Sequence, residues 1–448
     1  MVSPRNTSSE TILCFANGIE LNCYKYKKTL KKILIFFICS LFFSGCKVKK
    51  VKDNLPVLPA HAHTGILIYD TKSGKDVYAY QADKPFVPAS NTKLLSLYAS
   101  LEMLGERLPA LRYFERNDTL FVLGTGDPTL LHPDFPENPA LSLLKEAQVI
   151  VFSDQNFYQS ALGAGWSWDD YNDYYQAELS PLPLYGNVVR VEGKTIQPRY
   201  WAPQFSQGSG RQVQRHWEEN RFSWPGEVRR QEVPFKTGGA LSAALLADTL
   251  KKKVEYKKFV IDRPLETAWG LPKDTVLRKM MQQSDNLLAE QLLLLAGGSD
   301  SISTERSIGK VKEKLLQGFP ESYVWKDGSG LSRYNLFTPG FFVHLLKKMQ
   351  ESYSQDRLFS LMSIGGQAGT LRNKYKAERP YVFAKTGSMS GVYNESGYLL
   401  SEGGNVLIYS VMKNNFTGPV SENGRATMEW VDAFRKYYSS VTEAAPKP

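Results

Sequence analysis

Ser90 and Lys93 lie three residues apart in "PASNTKLL", just ahead of leucines at 94, 97, 101 and 104. Spacings of three and four read as one face of a helix, so Ser90 stands at its start and Lys93 one turn on, on the same side. A hydroxyl beside an amine is a nucleophile with its base, and a backbone N–H at a helix start favours a developing oxyanion. The chemistry is acyl transfer. To act as a base near neutrality, Lys93 must fall from about 10.4 to about 7. Burial and a second ammonium both push that way, so another lysine is expected close by.

Other nucleophile systems find little support. The five histidines are His61, His63, His132, His216 and His344; none offers a Ser-His-Asp triad, and no G-x-S-x-G elbow occurs. His344 sits on an apolar helical run and reads as a core residue, and His61 and His63 precede a strand without further ligands nearby. All four cysteines, Cys14, Cys23, Cys39 and Cys46, fall in the first tenth of the chain. The body therefore has no disulfide framework or thiolate metal site, and no metal or organic cofactor is expected.

A lysine to accompany Lys93 is offered by a Lys-Thr-Gly triplet that occurs twice, as Lys236–Gly238 in "PFKTGGALS" and Lys385–Gly387 in "AKTGSMSG". Ser-x-x-Lys recurs at Ser44 and Ser307, and Ser-x-Asn occurs at Ser284–Asn286 and Ser421–Asn423. Each alone is ordinary cap or surface chemistry. The ordered series Ser90-x-x-Lys93, Ser284-Asp285-Asn286, Lys385-Thr386-Gly387 is the combination found in penicillin-recognising serine enzymes. The Lys236 copy precedes Ser284 and leads into a helix-like run, whereas the Lys385 copy follows Ser284 and opens onto a strand pair.

The elements that must position these residues can be read coarsely. "HTGILIYD" and "DVYAYQAD" read as a hairpin around "TKSGK", followed by the Ser90 helix. From 105 to 271 short strand-like runs such as "LFVLG", "VIVFS" and "NVVRVEG" dominate, with many Trp, Tyr and Pro. That span reads as a β-rich insert. "TVLRKMMQQSDNLLAEQLLLLAG" reads as one long helix and "PGFFVHLLKKMQ" as another; a strand pair, "NESGYLLSE" and "NVLIYSVMKN", and a last helix through "ATMEWVDAFRKYY" complete the chain. The fold class is α/β (α+β), with a catalytic domain from 61–104 and 272–440, the insert at 105–271, and a tail at 441–448.

The first 45 residues read as a leader with an uncertain start, since the polar preamble suits no signal peptide and translation could begin near the lysines. An apolar run from Ile33 to Phe43, then Ser44 and Gly45, ends at Cys46. This is a secretory signal with a lipidation-type cysteine; the competing reading, a membrane-spanning anchor, has too few apolar residues. Residues 46–60 then form a lipid-anchored linker. The protein is expected in the cell envelope, on the periplasmic side of a membrane. Net charge is +10, partly from the leader; it suits an anionic polymer or surface, and without basic blocks interleaved with aromatics no nucleic-acid partner is expected.

Residues 61–440 resemble the penicillin-binding protein 4 type of D-alanyl-D-alanine carboxypeptidase/endopeptidase, in which a penicillin-recognising serine transpeptidase-like domain, an antiparallel sheet flanked by helices, is interrupted by a large insert between its first two motifs. "GTGDPTL", "GWSWDD", "DGSGLSRYN" and "GTLRNKY" support the likeness. The resemblance implies Ser90 as acylated nucleophile, Lys93 as its base, Ser284 as proton relay and Asn286 on the substrate amide. It implies Lys385 as the second ammonium, Thr386 and Ser388 on the terminal carboxylate, Gly387 beside them, and the N–H groups of Ser90 and Ser388 as oxyanion hole. Asp170 would meet the free amino group of a diaminopimelate side chain, or else merely cap a turn. The partners implied are peptidoglycan stem peptides and, as covalent inhibitors, β-lactam antibiotics. Thr125 stands where a glycine is common. The alternatives are a β-lactamase, for which no Glu-x-x-Leu-Asn is present, and a catalytically idle wall-binding lipoprotein.

Overall fold

The protein is described by a computed structural model at residues 55–57 and 62–438. The leader, Cys46, His61 and the tail at 441–448 lie outside the described residues.

Two-residue alternation builds the central sheet. His63–Asp70 turns Leu67 to one face and Ile66 and Ile68 to the other, as a strand covered on both sides must. It pairs antiparallel with Lys75–Tyr80 and with Val406–Asn414. Val392–Leu400, Val382–Met389 and the short Ser363–Ile364 complete six antiparallel strands. Fully burying one such leucine or phenylalanine is worth about 1.5–3 kcal/mol, so a one-residue slip, which would reverse every face, is strongly disfavoured.

Helices cover both sides. Trp430, Val431 and Phe434 of the Val420–Tyr437 helix pack on Ile66, Ile68 and Tyr409. On the opposite face Leu67, Phe383, Tyr398 and Met412 join the helices Lys93–Met103, Lys273–Gln283, Asn286–Gly297 and Pro339–Ser352 in the largest core. Lys385, two residues from Phe383 on the same strand, faces that helical side.

The run read as one long helix is two. Ser284 adopts a left-handed conformation (φ 59°) that ends Lys273–Gln283, and Asp285 Oδ1 accepts Leu288 N–H at 2.9 Å as N-cap of Asn286–Gly297. Hydrophobic periodicity runs on through the break, but an aspartate that competes for a backbone N–H starts a new helix there.

The middle of the chain forms a second, five-stranded sheet, ordered Lys253–Tyr256, Val149–Ser153, Thr119–Gly124, Arg107–Arg116, Glu266–Pro272. Its first three strands are parallel, which requires crossovers; the helices Ala140–Glu146 and Gly239–Leu250 lie in those connections. Gly239–Leu250 is the helix-like run that follows Lys236, whereas the seven residues of Ala140–Glu146 are too few to display a period. Two three-stranded sheets lie in the same segment. Thr125 is accommodated: its Oγ1 donates to Pro109 O (2.6 Å) and Ala110 O (2.9 Å), and Gly126 takes the left-handed position (φ 92°). Where the second sheet rejoins the helical layer, Lys273 Nζ donates to Leu101 O (2.9 Å) and Leu104 O (2.6 Å), closing the C-terminus of the Lys93–Met103 helix.

Candidate active site

Ser90 lies in a 3-10 turn, Ala89–Thr92, that feeds directly into the Lys93–Met103 helix. A three-residue repeat eclipses positions i and i+3, and Lys93 Nζ lies 2.9 Å from Ser90 Oγ. Ala89 takes a left-handed φ of 46°, which costs a non-glycine residue about 1–2 kcal/mol. Neighbouring strands hold that strain. Asn91 Nδ2 donates to Ser396 Oγ (2.8 Å), Asn394 Nδ2 to Val87 O (2.9 Å), and Val87 N–H to Asn414 Oδ1 (2.7 Å). Gly387 lies flat against the turn: a Cβ there would fall 2.5 Å from Pro88 O and 2.9 Å from Ser90 N. Only glycine fits.

Lys93 is wholly buried and donates to three acceptors, Ser90 Oγ, Asn286 Oδ1 (2.6 Å) and Ser329 O (2.8 Å), the full capacity of an ammonium. Burial lowers its pKa to about 8, against the opposing pull of Glu290, Asp285 and Asp327. The Ser329 carbonyl is itself held in place. Buried Glu290 accepts the N–H groups of Gly328 (2.9 Å) and Ser329 (2.7 Å), while Asp327 accepts from Gly330 N, Ser332 N, Asn335 Nδ2 and Trp166 Nε1. Burial and the Asp327 charge push Glu290 up to about 8.

The second lysine lies where the first needs company. Lys385 Nζ, also wholly buried, donates to Ser284 Oγ (2.9 Å) and Thr386 O (2.6 Å). Burial and then the Lys93 charge hold it well below the ordinary lysine range. The second ammonium thus lies close enough to Lys93 to act on it, while Glu290, Asp285 and Asp327 oppose the fall at Lys93.

A cavity of about 580 Å³ opens over these groups; Ser90, Ser284, Asn286, Thr386 and Ser388 line it, and so does Asp170. Thr386 Oγ1 donates to Thr370 Oγ1 (2.8 Å), and Asn286 Nδ2 to Tyr175 O (2.8 Å). No side-chain cap closes the turn Trp168–Asn172 that carries Asp170. Its carboxyl is raised, first by burial, with Asp169 and Asp173 adding to the effect and Tyr175 and Arg333 opposing it. Asp169 and Arg333 line the same cavity, which thus offers two acidic groups and one basic group.

The other triplet lies elsewhere. Lys236 exchanges two backbone bonds with the Asn220 amide (2.7 and 2.9 Å), and Thr237 N–H donates to Glu178 (2.7 Å), in a loop before Gly239–Leu250. His63 stacks on Phe86 and His344 meets Phe319 edge-on. Among the described residues no group of three His, Cys, Asp or Glu side chains could hold a metal, and no helix is long and apolar enough to cross a membrane. Residue reading assigned no role to Glu290, Asp327, Ser329, Arg333 or Thr370. The signals were present: a carboxylate within the apolar run "NLLAEQLLLL", one turn beyond Asn286, and an aspartate opening the glycine-rich "DGSG".

An antiparallel sheet between helices, with two Ser–Lys couples at one face, is the fold of the penicillin-recognising serine enzymes. The structure superposes on penicillin-binding protein 4 (dacB) from Haemophilus influenzae with a TM-score of 0.69 at 20% identity, covering 88% of this chain and 99% of that one. A predatory endopeptidase from Bdellovibrio bacteriovorus, in complex with its immunity protein, gives a TM-score of 0.52 at 15% identity over 86% and 98%. In sequence, a D-alanyl-D-alanine carboxypeptidase from Actinomadura sp. is 25% identical over 84% of this chain and 83% of its own length. The D-alanyl-D-alanine carboxypeptidase DacB of Haemophilus influenzae is 23% identical over 87% and 93%. Residues 47–434 match the D-Ala-D-Ala carboxypeptidase 3 (S13) family, and the chain belongs to that family.

Proposed function

We propose that the protein is a serine-type D-Ala-D-Ala carboxypeptidase that acts on peptidoglycan stem peptides through an acyl-enzyme on Ser90. The observation that carries this reading is the pair of couples Lys93–Ser90 and Lys385–Ser284 beneath one cavity, with Asn286 accepting from Lys93. Neutral Lys93 keeps its bonds to Asn286 and Ser329 and takes the Ser90 Oγ proton as Oγ attacks the penultimate D-alanine carbonyl. The N–H groups of Ser90 and Ser388 stabilise the oxyanion, each donor being worth roughly a hundred- to a thousand-fold in rate. The C–N bond breaks as the proton taken by Lys93 is relayed through Ser284 to the departing D-alanine nitrogen; water then attacks the ester, giving its proton to the freed Lys93 amine, which returns it to Ser90 Oγ.

The terminal carboxylate binds at Thr386 and Ser388, beside Lys385. A negative charge there favours the Lys385 ammonium, which in turn presses Lys93 towards the free base. Substrate arrival thereby helps to activate the nucleophile. Asp170 with Arg333 suits a zwitterionic side-chain end such as diaminopimelate at the third stem residue. Cleavage of crosslinks is a second outcome of the same covalent step. A lipid on Cys46 and a periplasmic location follow from the leader sequence, and β-lactams acylate Ser90 as inhibitors.

Mass spectrometry of digested cell wall, with and without the protein, tests this reading: release of D-alanine is expected, with loss of dimers if crosslinks are cut. Unchanged muropeptides, with rapid turnover of penicillin in place of a long-lived adduct, would instead indicate a β-lactamase.

A further inference from the structure

Beside the catalytic cavity two indole rings stand in solvent. Trp168 is 71% exposed and Trp217 is 43% exposed; their centroids are 5.9 Å apart and their planes meet at 89°. Tyr171 adds a third ring, 4.8 Å from Trp217 and perpendicular to it. We infer that Trp168 and Trp217 form a two-walled shelf that holds a sugar ring of the glycan strand from which the stem peptide hangs. This rests on the peptidoglycan reading above and adds a subsite to it.

Three observations point there. The first is rigidity: Tyr171 OH donates to Arg215 O (3.2 Å), Asn172 Nδ2 to Val213 O (3.1 Å) and Arg215 N–H to Asn172 Oδ1 (2.8 Å). The Arg215 guanidinium also lies 5.1 Å from the centre of the Tyr171 ring. Exposed aromatics on so well-fastened a mount form a preorganised contact surface. The second is continuity: Ser167, Asp169 and Asp170 line the catalytic cavity, and exposed Trp168 lies among them in sequence, in the same turn as Asp170. The third is chemistry. A pyranose ring presents apolar C–H faces and polar edges, and two perpendicular indoles meet such a face while leaving the hydroxyls in water. The stem peptide joins its sugar at the end opposite D-Ala-D-Ala. With the reactive end at Ser90 and the third residue near Asp170, the sugar end of the substrate lies beyond Asp170, whose own turn carries Trp168.

The test compares D-alanine release from a disaccharide-pentapeptide with release from the same pentapeptide lacking sugar. Trp168→Ala and Trp217→Ala are each expected to lower kcat/KM on the sugar-bearing substrate by about five- to tenfold. Release from the free pentapeptide and acylation by fluorescent penicillin should stay at wild-type rates, the latter also showing that each variant folds. Equal loss on both substrates, or no loss on either, would overturn the shelf. Wild-type protein that releases D-alanine from neither substrate would overturn the underlying reading and the shelf with it.

Discussion

Gly387 Cα and the backbone nitrogen of Ser90 are so close that a single added carbon at Gly387 would lie 2.9 Å from that nitrogen. The strand that carries Gly387 and the turn that carries Ser90 are therefore one packed unit. Gly387→Ala must push the turn outward, and a displacement of that order costs roughly a hundredfold in rate. Labelling with fluorescent penicillin should slow accordingly while the protein remains folded by circular dichroism. Labelling at the wild-type rate would show that the contact is not needed.

The two Lys-Thr-Gly triplets make opposite predictions. Lys385→Ala removes the donor to Ser284 and should slow acylation of Ser90 by about a hundredfold or more. Lys236 is exposed and its backbone carries the loop contacts, so Lys236→Ala should leave acylation within about twofold and shift stability by no more than about 0.5 kcal/mol. Rates of penicillin labelling for the two variants decide between them.

Acylation should depend on pH through Lys93. Its free amine is the base and burial sets its pKa at about 8, so kcat/KM should rise as pH climbs through about 8 and level off above. Ionised Glu290 favours the protonated form, and its own pKa is about 8, so Glu290→Gln should move the upper part of the rise, where wild-type Glu290 is charged, to lower pH. A residue that only supports the loop would lower the rate without moving the midpoint; stopped-flow acylation across pH separates the two. Glu290→Ala also strands two buried N–H groups, at about 1–3 kcal/mol each, and should lower the thermal midpoint.

Asp170→Ala should reduce the preference for a stem peptide whose third residue carries a free amine, by about tenfold relative to a peptide with a neutral side chain there. Competition kinetics between the two peptides measure it. An unchanged ratio would leave Asp170 no part in selection.

Much of this was legible because the chemistry needs short-range spacing. Ser90 and Lys93 lie within one turn, and the runs "NESGYLLSE" and "NVLIYSVMKN", joined at "GG", announced two strands that are found at Val392–Leu400 and Val406–Asn414. What could not be read was long-range. Nothing in a one-dimensional pattern says that the Glu290 carboxylate reaches the N–H groups of Gly328 and Ser329, or that Lys385 lies near enough to Lys93 for each charge to act on the other. The helix break at Ser284 was hidden for a related reason: apolar residues continue on both sides, and the deciding interaction is one hydrogen bond to the Asp285 side chain.

The ends of the second sheet meet. Arg107 in its first core strand pairs with Pro272 in its last, and Lys273 next door is tied to the end of the helix that begins at Lys93. For the catalytic layers, everything between is topologically an oversized hairpin loop, entered and left at one point. The entropy of closing such a loop grows only with the logarithm of its length. Lineages could enlarge, trim or re-equip this segment for different wall chemistries while Ser90 and Ser284 keep their separation.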